Sequence, residues 1–253
     1  MTPTLIPNRV RVLFYTQKQP SLSFEEFSEQ WRAHAPAFLA TKAAKENLLK
    51  YEQWHANQEF KQMLLGAGMK VPDYDGVVVV EAETVEKVLA AFSGSEYNEK
   101  VLPNSAKFVN SNTIAYRAFQ ITSVFDKSSA DRKGVGAVLV NMHTKNGTES
   151  GKYWREVHIP KLVSLMESTG LGGSLMKNEV LTGDLHISGN LPAQLTPASW
   201  DGVSVVEAPS VGEILHTYND QRFIDFSKED LPNFIDVSKP SEFMPCNVFA
   251  FEI

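Results

Sequence analysis

Asp75-Gly76-Val77-Val78-Val79-Val80-Glu81-Ala82 returns as Asp201-Gly202-Val203-Ser204-Val205-Val206-Glu207-Ala208, identical at seven of eight positions at an offset of 126 residues. The same offset carries Val85, Val88, Leu89 and Phe92 onto Val211, Ile214, Leu215 and Tyr218, and Phe108-Val109-Asn110 onto Phe234-Ile235-Asp236. Upstream, Trp31 and His34-Ala35-Pro36 are echoed by Trp154 and His158-Ile159-Pro160, the two histidines lying 124 apart. Solenoid and propeller repeats run roughly 20–50 residues, much shorter than these units. The chain reads as a duplicated domain, a homodimer fused into one polypeptide.

The bulk numbers suit that reading. With 253 residues, 43% hydrophobic and 21% charged, the chain has the make-up of a globular protein with material for a core. A net charge of −6 argues against a nucleic-acid partner, because phosphate binding needs clustered Lys and Arg. The single cysteine, Cys246, excludes an internal disulfide and fits a reducing compartment. No Cys/His cluster has zinc spacing, the N-terminus has no basic segment leading into an apolar one, and no apolar run approaches the roughly 20 residues of a membrane span. A cytoplasmic protein without membrane contact is the expectation.

Each copy reads strand, helix, strand, strand, helix, strand. In the first, the strands fall at 10–16, 50–55, 76–81 and 114–124. Ser23-Phe24-Glu25-Glu26 is a capping box that starts a helix, with Phe24, Phe27 and Trp31 on one face and an end near His34-Ala35-Pro36. The second helix covers 85–97. In the second copy the strands fall at 135–142, 175–181, 202–207 and 247–253, and the helices at 151–168 and 211–218. Residues 126–133 are polar and aperiodic, a linker between domains at 1–125 and 134–253. Two insertions, 58–73 and 183–199, precede the third strand of each copy and are placed to cover a pocket mouth.

A βαββαβ order is the ferredoxin-like motif, whose sheet has one face covered by helices and the other in need of apolar cover. A second such sheet supplies it. The fold class is therefore α+β, two ferredoxin-like units forming an intramolecular dimeric α+β barrel. Fusion makes a monomer sufficient; further dimerisation is left to the third-strand edges.

The residues resemble those of the EthD family of dimeric α+β barrel proteins. The carriers are Ser23-Phe24-Glu25-Glu26-Phe27, Trp31 and His34-Ala35-Pro36; Tyr51 and His55; Asp73-Tyr74-Asp75-Gly76; Ser95-Glu96-Tyr97; and Phe108-Val109. The second copy retains Tyr153-Trp154, His158-Ile159-Pro160, Trp200-Asp201-Gly202, Phe223 and Phe234. Trp and His stand four residues apart in the second copy and three in the first, so either the helix end differs there or the match is off by one. On the 124-residue offset Tyr51 and His55 correspond to Leu175 and Glu179, which implies that the second copy has lost that polar pair. The resemblance implies small cofactor-independent enzymes of fungal natural-product type that decarboxylate, dehydrate or cyclise aromatic polyketides; related barrels oxidise anthrones with dioxygen alone.

Candidate chemistry follows from residue types. His34 and His158, at the ends of their helices, suit general acid/base work near neutral pH; the alternative is a histidine favouring the helix macrodipole. Tyr51 and His55 share a strand face at period-2 spacing with Gln53 between them, and either polarise a substrate carbonyl and take its α-proton or sit on a solvated face. Asp75 joins the substrate-binding candidates, although its Asp-Gly step also shapes a turn. Trp31, Trp54, Tyr74, Phe92, Tyr97 and Phe108 suit the walls of a planar apolar pocket, though aromatics at such spacing also build cores. Gly170-Leu171-Gly172-Gly173 follows a helix and precedes a strand, the reverse of a dinucleotide fingerprint; His143, His186 and His216 lack ligand spacing.

The reading predicts a lyase or cyclase with neither metal nor cofactor, acting in the N-terminal half through His34 or His55 as base and Tyr51 as oxygen donor. Its alternatives are a cofactor-independent monooxygenase and a non-catalytic carrier of a hydrophobic metabolite.

Overall fold

A computed structural model describes residues 3–128, 135–183, 185 and 195–253. Most of the expected linker, much of the second insertion and His186 lie outside the described residues. In the N-terminal half, β1 (Thr4–Thr16), β2 (Lys50–Ala56), β3 (Gly76–Ala82) and β4 (Ala115–Asp126) alternate with α1 (Phe24–Leu39), α2 (Lys42–Asn47), α3 (Gln58–Gly66), α4 (Val85–Ala91), a π turn at Tyr97–Val101 and α5 (Leu102–Ser105). In the C-terminal half, β5 (Gly136–Met142), β6 (Lys177–Thr182), β7 (Thr196–Pro197), β8 (Gly202–Ala208) and β9 (Glu242–Phe251) alternate with α6 (Gly147–Tyr153), a π turn at Trp154–His158, α7 (Ile159–Thr169), α8 (Val211–Tyr218) and α9 (Gln221–Asp230).

The strands run β1-β3-β2-β9-β5-β8-β6-β4, and β4 returns to β1, closing eight antiparallel strands into a barrel with short β7 outside β4. Each half contributes a four-strand ferredoxin-like order, β4-β1-β3-β2 and β9-β5-β8-β6, and the seams are the β2–β9 and β4–β6 pairings. Closure removes the unpaired edges that would recruit another chain. The third strands β3 and β8 lie inside the order, paired on both sides, which corrects the expectation that their edges remain open for dimerisation. Among the described residues no helix is long and apolar enough to cross a membrane.

Alternation sorts side chains between lumen and helices. Leu13, Tyr15, Trp54, Val77, Val79, Leu139, Leu181, Val203 and Val205 fill the lumen. Toward one end lies an ionic cluster: Arg11 is held by Glu81 and Glu179, Lys50 by Glu52 and Glu81, and Lys177 by Glu179 at 3.0 Å. Burial alone would pull the Arg11 pKa down, but Glu179 and Glu81 outweigh it and raise it, while Glu81 and Glu179 are held below the usual carboxylate range despite burial. Elsewhere in the lumen Tyr15 Oη donates to Asn141 Oδ1 at 2.7 Å, two residues at corresponding positions, opposite Val77 and Val203 respectively. Tyr74 and Trp200 pack on Tyr15.

The first helices correct the sequence reading. α1 begins with the expected capping box on Ser23 and Glu26 but continues through Pro36 to Leu39. In the other half Trp154–His158 forms a π turn, with Pro160 in the first turn of α7. A π turn closes i to i+5 where an α turn closes i to i+4, so it absorbs the extra residue that separates Trp154 from His158. Both tryptophans then reach the same place: a Cβ on Gly76 would lie 2.2 Å from the Trp31 ring, and one on Gly202 2.4 Å from the Trp154 ring. The glycines of the repeated Asp-Gly step make room for these rings. Their partners are structural as well, Asp75 Oδ2 accepting the Lys18 amide at 2.9 Å and Asp201 Oδ2 the Thr144 amide at 3.1 Å. Gly170 ends α7 at φ 67°, a left-handed C-cap.

Candidate functional site

Among the described residues, a cavity lies between the barrel's outer face and its helices in each half. The N-terminal cavity, about 360 Å³, is lined by Trp31, His34, Phe38, Tyr51, Phe92, Tyr97 and Phe108 among others. The C-terminal cavity, about 740 Å³, is lined by Trp154, His158, Asn178, Tyr218, Phe223 and Phe234 among others. Both volumes fall in the roughly 300–1,000 Å³ range of small-molecule sites.

Each cavity is closed in part by the opposite half. Met63, Leu64, Ala67 and Met69, from the insertion ahead of β3, line the C-terminal cavity. Leu195, from the insertion ahead of β8, lines the N-terminal one. Both insertions thus meet a cavity, but across the molecule.

Behind the N-terminal cavity, alternate residues of β2 form a polar chain that reaches the cavity at Tyr51. Gln53 Nε2 donates to the Trp31 carbonyl at 2.9 Å and to Tyr51 Oη at 3.1 Å, and Gln53 Oε1 faces His55 Nε2 at 3.3 Å. The carbonyl fixes the amide orientation, so Oε1 must accept and His55 carries its proton on Nε2. His55 Nδ1 then accepts from the Ser28 hydroxyl at 2.7 Å. Tyr51 Oη accepts from Gln53, leaving its own proton free for an oxygen in the cavity. Burial pushes the Tyr51 phenol well up, outweighing hydrogen bonds from Gln53 and Trp31, so it is a donor rather than a phenolate at neutral pH.

His34 lines the same cavity with its ring edge-on to Phe108. Its Nε2 is buried without a hydrogen-bond partner, and burial lowers its pKa, favouring the neutral base. His55 instead stacks beneath Trp31 with centroids 4.4 Å apart; burial, then Arg32, pulls its pKa down to about 3. It supports Gln53 and does not line the cavity.

Of the sequence candidates, His34, Tyr51, Trp31, Phe92, Tyr97 and Phe108 are brought together around the N-terminal cavity, and His158 lines the other. Trp54 and Tyr74 belong to the lumen, where Trp54 Nε1 donates to Glu52 Oε2 at 2.9 Å, because lumen-facing and cavity-facing residues alternate along the strands. Asp75 secures the loop after β1. Sequence reading missed Gln53 as the residue that sets Tyr51, and Ser28 behind His55.

It also missed the environment of His158. His158 Nδ1 lies 2.7 Å from Asp230 Oδ2, while Asp230 Oδ1 accepts from Lys161 at 2.6 Å and from Tyr153 at 3.1 Å. Burial lowers the His158 pKa although Asp230 opposes it, and Asp230 itself is lowered by Lys161 and His158 against the effect of burial. Asp230 stands 72 residues from His158, too far for any local motif to join them.

The register also overturns the expected correspondence of the second strands. Lys50 lies opposite Glu81 and Tyr51 opposite Val80; Lys177 lies opposite Glu207 and Asn178 opposite Val206. The matching residues are thus 127 apart, and the counterparts of Tyr51 and His55 are Asn178 and Thr182, not Leu175 and Glu179. Lys50-Tyr51-Glu52 beside Lys177-Asn178-Glu179 was the sequence signal for it. Among the described residues no group of three His, Cys, Asp or Glu side chains is disposed to hold a metal ion.

A closed antiparallel barrel wrapped by helices, with a cavity against each half, defines a dimeric α+β barrel protein. Residues 19–112, in the N-terminal half, match the family model described as EthD domain. No curated protein matches the chain. Among solved structures it is similar to an anthrone oxidase-like protein, at 10% identity and TM-score 0.60 over 98% of this chain and 96% of that one. It is also similar to a proposed monooxygenase of Fusobacterium nucleatum subsp. nucleatum, at 9% identity and TM-score 0.59 over 98% and 100%. A mutant chlorite dismutase of Candidatus Nitrospira defluvii follows at 9% identity and TM-score 0.50 over 96% and 92%. Identities this low carry the fold alone.

Proposed function

We propose that the chain is an acid/base enzyme of EthD type, a fused pair of ferredoxin-like units, whose N-terminal cavity processes a planar aromatic or polyketide-like molecule by proton transfer. The observation that carries this reading is the pairing of an unpartnered buried His34 Nε2 with a Tyr51 hydroxyl whose proton is left free, both on one aromatic-walled cavity. Neutral His34 takes a proton from an activated C–H or O–H of the substrate. Tyr51 donates to the oxygen on which negative charge develops. Trp31, Phe92, Tyr97 and Phe108 hold the ring plane, and the apolar walls strengthen that donor by excluding water. Loss of water or ring closure follows from the enolate or phenolate so formed. A β-keto acid instead loses carbon dioxide to give that enolate directly, with Tyr51 donating to its oxygen and a proton returned at carbon, so that the enzyme is a lyase or cyclase.

The likeness in fold to an anthrone oxidase-like protein favours a second reading. Here the same deprotonated substrate reduces dioxygen itself; one oxygen atom enters the product and the other leaves as water.

Mass spectrometry of products from aromatic polyketide acids and anthrones, in air and without oxygen, tests both readings. Loss of carbon dioxide or water without oxygen supports the lyase, and gain of oxygen only in air supports the oxygenase. Binding with neither a mass change nor a change in chromatographic retention, which reports mass-neutral ring closure, replaces both with a carrier.

A further inference from the structure

The C-terminal half lies outside the EthD match, yet it holds the larger cavity, about 740 Å³ against about 360 Å³. Its walls are mainly apolar, with Met166, Phe223 and Phe234 among them. Its polar side chains include Asn178, His158, Ser204, Thr217, Tyr218 and Lys228. Tyr218 is tied to Ser204 by a side-chain hydrogen bond. Asn178 is buried, lines the cavity, and its Oδ1 has no hydrogen-bond partner. A buried amide oxygen left unmade costs roughly 1–3 kcal/mol, so a partner supplied from the cavity is favoured. His158 lines the same cavity, and because ionised Asp230 can only accept, the imidazole proton sits on Nδ1 and leaves Nε2 as an acceptor.

We infer that the C-terminal cavity is a second, separate ligand site, which takes a polycyclic aromatic carrying phenolic hydroxyls, one donating to Asn178 Oδ1 and another within reach of His158 Nε2. The two halves then have complementary preferences. Tyr51 offers a donor to a ligand oxygen in the first, whereas its counterpart Asn178 offers an acceptor to a ligand hydroxyl in the second. The site is independent of the N-terminal proton-transfer reading, which requires nothing of Asn178 or His158.

The test uses the full chain and compares 2-hydroxyanthraquinone with anthraquinone by fluorescence quenching and calorimetry. Leu89→Trp fills the N-terminal cavity and isolates the second site; Met166→Trp fills the C-terminal one. Leu89→Trp is expected to bind 2-hydroxyanthraquinone at one equivalent and about tenfold more tightly than anthraquinone, the order expected of one hydrogen bond to a buried acceptor. That preference falls to near unity when Asn178→Leu is added, and Met166→Trp alone abolishes this binding class while leaving any N-terminal binding in place. No binding by Leu89→Trp, binding that survives Leu89→Trp with Met166→Trp, or a hydroxyl preference unchanged by Asn178→Leu would overturn the inference. Turnover lost in His34 or Tyr51 variants with this site intact would bear on the N-terminal reading alone.

Discussion

Tyr51 and Asn178 occupy the same place in the two halves of the barrel, Tyr51 opposite Val80 on β3 and Asn178 opposite Val206 on β8. Each lines the cavity of its own half. A phenol held by Gln53 has become an amide with an unmade acceptor, so the halves share a frame and differ in the polar group they show a ligand.

Tyr51→Phe keeps the ring packed on Phe38 and removes only the hydroxyl. Loss of one oxyanion donor costs roughly 10²–10³ in kcat. We expect a fall of that order with the melting temperature little changed, measured by steady-state kinetics beside thermal unfolding. A fall in stability that tracks the fall in rate would make the hydroxyl structural.

The acid limb of the activity should lie below the ordinary imidazole range. Burial lowers the His34 pKa from 6.5, so the neutral base persists as pH falls past that value. The acid limb of the kcat/KM profile should be centred below pH 6.5. A limb centred above 6.5 would exclude a buried neutral His34 as the base.

Stability should fall in the same acid range, for a related reason. His55 takes up its proton near 6.5 when unfolded and only near 3 when folded, so between those values the unfolded chain binds more protons. Its contribution is complete above pH 6.5 and is lost as pH falls toward 3, at a slope of up to about 1.4 kcal/mol per pH unit. Denaturant unfolding of His55→Gln should show a shallower acid slope by up to one proton. An unchanged slope would mean that His55 does not titrate as its burial requires.

Arg11→Met should be strongly destabilising, since it leaves Glu81 and Glu179 without the guanidinium that holds both. Removing one partner of a buried ion pair costs about 3–5 kcal/mol, read from the urea midpoint. Arg11 comes from one half and Glu179 from the other, so the loss should weaken the junction of the halves as well as the core.

Gly76→Ala and Gly202→Ala test the tryptophan seats. A methyl group 2.2 or 2.4 Å from an indole forces ring or backbone to move, and overpacking of this kind costs about 1–3 kcal/mol. A neutral melting temperature for both would show that the rings have room to spare.

The fold was legible because its signals are local and repeated. The Val-rich third strands, the Ser23 box and the 126-residue offset each name an element, and the closed barrel follows from burying two such sheets. The lining of the N-terminal cavity was legible where one side chain suffices, as with His34 and Tyr51. It was hidden where neighbours come from afar: Asp230 behind His158, Leu195 over the N-terminal cavity, and Met63 and Leu64 over the C-terminal one. The shift from 124 to 127 residues at the second strands was obscured by helices of different construction, α1 running past Pro36 on one side and a π turn on the other. Trp54 misled because an aromatic residue on a barrel strand points to the lumen or to the helices according to register, which composition does not reveal, and Tyr74, in the loop before β3, packs on Tyr15 of the lumen.

Proton transfer in the N-terminal cavity is common to the lyase and oxygenase readings. It is tested most directly by incubating the full chain with anthrone in D₂O without oxygen and following deuterium entry into the methylene by NMR. The account predicts exchange well above the buffer rate, reduced about a hundredfold or more in His34→Gln, in line with the roughly 10²–10⁴ supplied by a positioned general base, with anthrone binding retained. Exchange at the buffer rate while anthrone is bound, or exchange that His34→Gln leaves untouched, would contradict it.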